Sequence, residues 1–356
     1  MNYLIQTMSN LKSANLKYFN SLQNKDVQLF IDICKSFYWY TPPIDRTNLF
    51  TPPIKIECVK DSTLPNILNN HLSFERCVEN RVEEILNLQN NINKKIVLCY
   101  SGGIDSTTIL CNFIKYKNLK EISERLIIAM SPESILENPT TYKFIISNFE
   151  TIFSLDTKQY LNDNYIVVIG DPGTGNFCHD GYVYNKNLIL NKTITNFEFE
   201  NAQYTILDKN IIKILCEETA KNYGVKLENY GDYHWWWHFN FRYNPINSRW
   251  HLRLNNASKT FWENQFFTFY SKETFQSWSL NEGRYMLSKQ IKEIQKNTMK
   301  GIIDDEYILN KKKYFSASKL FRGIYSHKII NEDYQPITQF VPEYYYDPNN
   351  NFKELL

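Results

Sequence analysis

The chain has 356 residues, a formal net charge of +2, 43% hydrophobic residues and 15% aromatic residues. That is enough apolar material for one large or two modest cores, which excludes a disordered chain. The near-neutral charge provides no broad basic field, so nucleic acid is not expected as a partner. Seven cysteines, at 34, 58, 77, 99, 111, 178 and 216, contain no Cys-x-x-Cys pair. Unpaired thiols, no basic-then-apolar leader and no membrane-length apolar run together predict a reduced, cytoplasmic protein.

In chain order, residues 1–74 form a small N-terminal region of unclear fold. It has helical spacing over Ser21–Phe37, an aromatic run Phe37–Tyr40 read as packing, and paired prolines near Ile44 and Ile54 that favour extended chain. A helix is expected from Phe74 to about Asn90, where Val78, Val82, Ile85 and Leu86 share one face. The run Lys95–Tyr100 reads as a buried parallel strand. A glycine turn follows, then an apolar helix from Asp105 to about Tyr116. Further buried strands are expected at Leu126–Met130 and Tyr165–Ile169, with a helix at Thr140–Phe149 between them. This alternation predicts an α/β fold with a doubly wound parallel sheet. From Phe197 onward the strand signal fades. Asp208–Tyr223, Tyr233–Tyr243 and Glu282–Asn297 read as helices, giving a helical C-terminal part before an extended tail over residues 335–356.

The chemistry concentrates in Ser101-Gly102-Gly103-Ile104-Asp105-Ser106, between strand and helix. Ligands of open parallel sheets bind at the carboxyl ends of strands. Two residues without Cβ let the backbone turn sharply and approach a polyanion, and the amides of the following helix tip face it. Ser101 and Ser106 add hydroxyls. A carboxylate beside a triphosphate is repelled unless a cation intervenes, so Asp105 reads as a Mg²⁺ ligand. The bland alternative is a capped Ser-Gly-Gly turn, and the strand-turn-helix setting argues against it. No Walker-type lysine loop occurs.

This hexapeptide resembles the PP-loop of the N-type ATP pyrophosphatases, in particular the synthetase domain of asparagine synthetases and β-lactam synthetases. The likeness spans about residues 75–320 and makes 75–334 the expected synthetase domain, with an adenine nucleotide alpha hydrolase-like sheet. Val167–Tyr182 is similar to the family's strand and following glycine-rich acidic run. Phe269–Trp278, Arg284–Leu287 and Lys311–Ser316 resemble three later family segments. In that family a substrate carboxylate attacks the α-phosphate of ATP, and ammonia or an amine then displaces AMP. The resemblance implies that Ser101, Gly102, Gly103, Ser106 and Gly170 surround pyrophosphate and that Asp105 holds magnesium. It also implies that the backbone of Ala129 and Met130 meets adenine, that Asp171 handles the second substrate, and that Arg284 and Lys312 act on the adenylate and phosphate.

Some residues depart from the family. Thr174-Gly175 stands where the family has an Asp-Glu pair, with Asn176 or Asp180 as substitutes. Arg284 falls at or beside the catalytic lysine, and a guanidinium cannot shuttle a proton. Asn2 replaces the cysteine that opens glutamine-dependent members, so no glutaminase is expected, and nitrogen would come as ammonia, from an ammonia-supplying partner, or as an amine. The expected activity is an ATP-dependent, AMP-forming amide ligase. The alternatives are a PP-loop enzyme modifying a nucleobase or tRNA, sulfur transfer, for which no cysteine pair exists, or a nucleotide-binding protein of reduced catalysis. His234 and His238 have zinc-like spacing. Aromatic packing is the competing reading for that tryptophan run, and Trp236 is also a candidate to line a substrate pocket.

Overall fold

The computed structural model describes residues 3–4, 44–50, 63–66, 71–130, 134, 137–153, 159–171, 209–228, 230–244, 257–284, 291–303, 327–330 and 336–340. Internal contacts divide the chain into two compact units. One comprises Met1–Leu64, Gly181–Arg253 and Ser318–Leu356; the other comprises Pro65–Asp180 and Leu254–Ala317.

The first unit contains a three-stranded antiparallel sheet in which β1 (Tyr3–Leu4) and the C-terminal strand Pro336–Phe340 flank His327–Ile330. The second unit holds the main sheet. It opens with α1 (Phe74–Ile92), whose N-cap Ser73 accepts from the Arg76 amide. Its C-cap Asn93 takes the left-handed conformation at φ 50° and donates its amide to the Gln89 carbonyl. Next come β2 (Ile96–Tyr100), α2 (Ile104–Lys117), α3 (Leu119–Arg125), β3 (Leu126–Met130), α4 (Pro139–Asn148), β4 (Glu150–Phe153) and β5 (Ile166–Ile169). α5 (Lys209–Tyr223) and α6 (Tyr230–Trp236) belong to the first unit. The second resumes with α7 (Lys259–Asn264), β6 (Phe266–Thr268), α8 (Glu273–Asn281) and α9 (Ile291–Met299).

All five strands run parallel, in the order β4-β3-β2-β5-β6. The chain steps outward from β2 through β3 to β4, then returns to build β5 and β6 on the other side of β2. The order therefore reverses between β2 and β5. Burial explains why β2, β3 and β5 are apolar without alternation. Ile96, Leu98 and Tyr100 lie in register with Leu126, Ile128 and Met130, and Ile166 and Val168 with Ile96 and Leu98. These residues join the face of α1 bearing Val78, Val82 and Ile85, together with Ile109, Phe113 and Phe267, in one core. The opposite face, through Val97, Ile127, Val167 and Phe266, is equally buried.

The helices at 74–90, 105–116, 140–149 and 208–223 and the three long strands lie where the sequence places them, within one or two residues. Two strands of the main sheet were not anticipated, nor were the three strands of the antiparallel sheet. β4 is an edge strand with Glu150 and Phe153 exposed, and β6 has three residues set within an aromatic stretch. The stretch after Phe197 is thus not purely helical. Of the helix expected over Glu282–Asn297, α9 covers the part from Ile291 onward, Glu282 lies in a turn after α8, and residues 285–290 lie outside the described residues. No helix among the described residues is long and apolar enough to cross a membrane. Ser21–Phe37 and the Phe37–Tyr40 run lie outside the described residues.

Candidate functional site

The loops after β2, β3, β5 and β6 all leave the carboxyl edge of the sheet, and the β2 and β5 loops flank the reversal of strand order. In open α/β sheets that crevice is where ligands bind. Ser101-Gly102-Gly103 fills the β2 loop. Gly102 is buried at φ 72°, and a Cβ built there would come within 2.4 Å of the Ser134 carbonyl oxygen and 2.9 Å of the Glu137 Cβ. Glycine is required twice over, by conformation and by space. The loop after β3 lies directly against it.

Gly103 is the N-cap of α2, and no side chain caps the helix. The opening amides are therefore not met by a cap side chain, unlike those of α1, α3 and α4, which Ser73, Asn118 and Asn138 cap. Hydroxyls order the turn instead. Ser106 Oγ accepts from the Ser101 amide at 3.2 Å, lies 3.1 Å from Ser101 Oγ, and donates to the Gly103 carbonyl at 3.1 Å. Thr107 Oγ1 donates to the same carbonyl at 2.9 Å. The result is a helix tip without a capping side chain and with two serine hydroxyls alongside, a pattern suited to an anion.

The β5 loop closes the other side. A Cβ on Gly170 would sit 3.5 Å from both Asp105 Cβ and the Ser106 amide nitrogen. Gly170 therefore faces the start of α2 across the crevice, with Asp171, half-buried, next in the chain. Ala129 and Met130 end β3 opposite Cys99 and Tyr100, so their backbone borders the same edge. Structure thus gathers Ser101, Gly102, Gly103, Asp105, Ser106, Ala129, Met130 and Gly170 at one end of the sheet. Arg284 is half-buried just past α8. Lys312, Thr174, Gly175, Asn176, Cys178 and Asp180 lie outside the described residues.

Sequence reading missed several supporting residues. Tyr100 Oη lies 3.1 Å from Thr107 Oγ1 and accepts from Asn138 Nδ2 at 3.1 Å, while Asn138 Oδ1 accepts from the Thr141 amide and caps α4. Asn138 is fully buried. Its replacement by alanine removes a cap and a buried hydrogen bond behind the loop, so Asn138→Ala is expected to lose about 2 kcal/mol in urea denaturation.

Two further residues reach Asp105. Tyr270, in the turn after β6, donates from Oη to the Asp105 carbonyl at 3.0 Å. Gln295, on α9, donates from Nε2 to Asp105 Oδ1 at 2.7 Å and to Tyr270 Oη at 3.3 Å. Burial, then the Asp105 charge, holds the Tyr270 phenol well above its usual range, so it remains a proton donor. No local pattern separates Gln295 from the other polar residues of α9. Phe269–Trp278 was singled out from sequence, and Tyr270 within it does touch the loop.

The chemistry of the donor set bears on a cation. Among the described residues no group of three or more His, Cys, Asp or Glu could hold a metal. A protein-built cage is therefore absent from them, including around His238. His238 is buried with its ring nitrogens 3.4 and 3.5 Å from Arg242 Nη1, while the His234 side chain lies outside the described residues. One loop carboxylate, Asp105, does fit Mg²⁺ of the kind shared with phosphate oxygens.

The tryptophan run is core. α6 continues as a π-helix over Trp237–Arg242, Trp235 stacks on Phe239 with centroids 4.8 Å apart, and fully buried Trp236 donates from Nε1 to Thr219. Cys77, Cys111 and Cys216 are buried, free thiols. Burial pushes Cys77 up to about 12 and raises the other two as well, which leaves them poor nucleophiles. No family model matches the chain, and neither a curated protein nor a solved structure does.

Proposed function

We propose that the chain binds ATP at Ser101–Ser106 and cleaves it between the α- and β-phosphates, as an AMP-forming ligase that joins a carboxylate or carbonyl substrate to ammonia or an amine. The observation that carries this reading is the tip of α2, which no side chain caps, which opens at Gly103 after Gly102 and which Gly170 faces at the reversal of strand order. The parallel sheet is compatible with a doubly wound, adenine nucleotide alpha hydrolase-like fold, and the hexapeptide resembles the PP-loop.

The helix-tip amides and the hydroxyls of Ser101 and Ser106 bind the β- and γ-phosphates and stabilise charge on the departing pyrophosphate. Asp105 would hold a magnesium ion beside the phosphates, and the ion would supply further charge neutralisation there. The Ala129 and Met130 backbone positions adenine. An oxygen of the substrate attacks the α-phosphorus, the bond to the β-phosphate oxygen breaks, and an acyl-adenylate and pyrophosphate form. The amine then attacks the acyl carbon and AMP departs. Asp171 orients the second substrate, and Lys312 binds phosphate. Arg284 stabilises negative charge without moving a proton.

Calorimetry with ATP and Mg²⁺, followed by exchange of labelled pyrophosphate into ATP across a panel of carboxylic acids, tests the reading. Uptake with acid-dependent exchange supports it. No uptake at millimolar ATP refutes it. Uptake without exchange for any acid favours a nucleotide-binding protein of reduced catalysis, the reading that Thr174-Gly175 in place of an acidic pair supports.

A further inference from the structure

The geometry assigns Gln295 a positioning role: its side-chain amide, braced by Tyr270, fixes the orientation of the Asp105 carboxylate for a divalent cation. This inference rests on the nucleotide reading above. Gln295 is completely buried between α9 and α2. Its two amide protons are both committed, one to Asp105 Oδ1 and one to Tyr270 Oη. Tyr270 Oη donates its own hydrogen bond to the Asp105 carbonyl. The three residues close a ring in which every donor direction is determined. The Asp105 backbone and side chain are thereby held from the same side.

Packing alone does not account for the glutamine. Its Oε1 is buried without a hydrogen-bond partner, a cost that a leucine or methionine of similar volume avoids. The neighbouring contacts are already apolar or self-satisfied. Met299 packs with Cys111 and Ile104, and Thr298 lies beside Asn112. The position uses the donor of Gln295 and tolerates its idle acceptor. Residues that orient a metal-binding carboxylate in this way typically change metal affinity by about 10–100-fold when removed.

Gln295→Met keeps volume and removes both donors, and Tyr270→Phe removes only the hydroxyl. Calorimetric ATP titrations at graded Mg²⁺, with thermal melts as the folding check, read the effect. Gln295→Met is expected to need about tenfold more Mg²⁺ for half-maximal enhancement of ATP binding, and Tyr270→Phe a smaller increase in the same direction. ATP affinity without Mg²⁺ should not change in either. A Mg²⁺ requirement unshifted in both folded variants overturns the inference, as does an equal loss of affinity with and without Mg²⁺. If Gln295→Met fails to fold, the Tyr270→Phe result decides alone. Wild-type protein that takes up no ATP overturns the nucleotide reading itself, an outcome distinct from normal uptake with an unshifted Mg²⁺ requirement.

Discussion

Gly102→Ala is expected to lower folding stability by about 3 kcal/mol and to abolish ATP uptake, whereas Gly301→Ala loses less and binds normally. Both glycines have positive φ, 72° and 75°. An alanine pays about 1–2 kcal/mol for that conformation at either position. The surroundings differ. Nothing lies within 4 Å of a Cβ at Gly301, while a Cβ at Gly102 would penetrate to 2.4 Å from the Ser134 carbonyl oxygen. Backbone cannot swing aside as a side-chain tip can, so the β3 loop or the β2 loop must shift, adding about 1–3 kcal/mol. Either shift moves the start of α2 relative to its neighbours. Urea denaturation of the two variants isolates the steric part, and calorimetry reads the effect on the site. Equal losses would show that the two loops do not press on each other.

The legible part of this protein is the part governed by local rules. β2, β3 and β5 could be read because burial on both faces leaves no alternation, only short apolar runs between helices. α1 could be read because Val78, Val82 and Ile85 recur at helical spacing. The glycine turn was legible because its residues, their order and their flanking elements are contiguous. β6 was not legible, since Phe266-Phe267-Thr268 is too short to carry a period and sits among other aromatics that favour no one element. β4 was hidden for a related reason: as an edge strand with both ends exposed it has no strong apolar face to announce it.

The remaining site residues were hidden by tertiary structure. Tyr270 and Gln295 reach Asp105 across separations of 165 and 190 residues, and nothing local distinguishes them from a core phenol and a surface amide. Glu137 likewise bears on the loop through its Cβ, which crowds Gly102 from 35 residues along the chain. The division into two units was equally invisible, because each is assembled from stretches far apart in sequence. Sequence thus exposed the turn that would meet the phosphates, while the side chains that hold it became visible only once the sheet had brought distant loops to one edge.

Gly170→Ala is the complementary case, with stability within about 0.5 kcal/mol of wild type and ATP affinity reduced about thirtyfold. A Cβ at Gly170 meets Asp105 Cβ and the Ser106 amide nitrogen at 3.5 Å, an ordinary contact distance, and its φ lies outside the left-handed region. The folded protein therefore accommodates the methyl group. The space it takes is the approach to the Ser106 amide, where a phosphate oxygen would need to come within about 3 Å to accept a hydrogen bond. Losing one charge-assisted bond of about 2 kcal/mol corresponds to the thirtyfold change. Gly102→Ala would remove binding by disturbing the loop, and Gly170→Ala by occupying the cradle of an intact one. Melting curves alongside ATP titrations separate the two. A Gly170→Ala protein that melts and binds as wild type does would mean that the anion does not lie between Gly170 and the tip of α2.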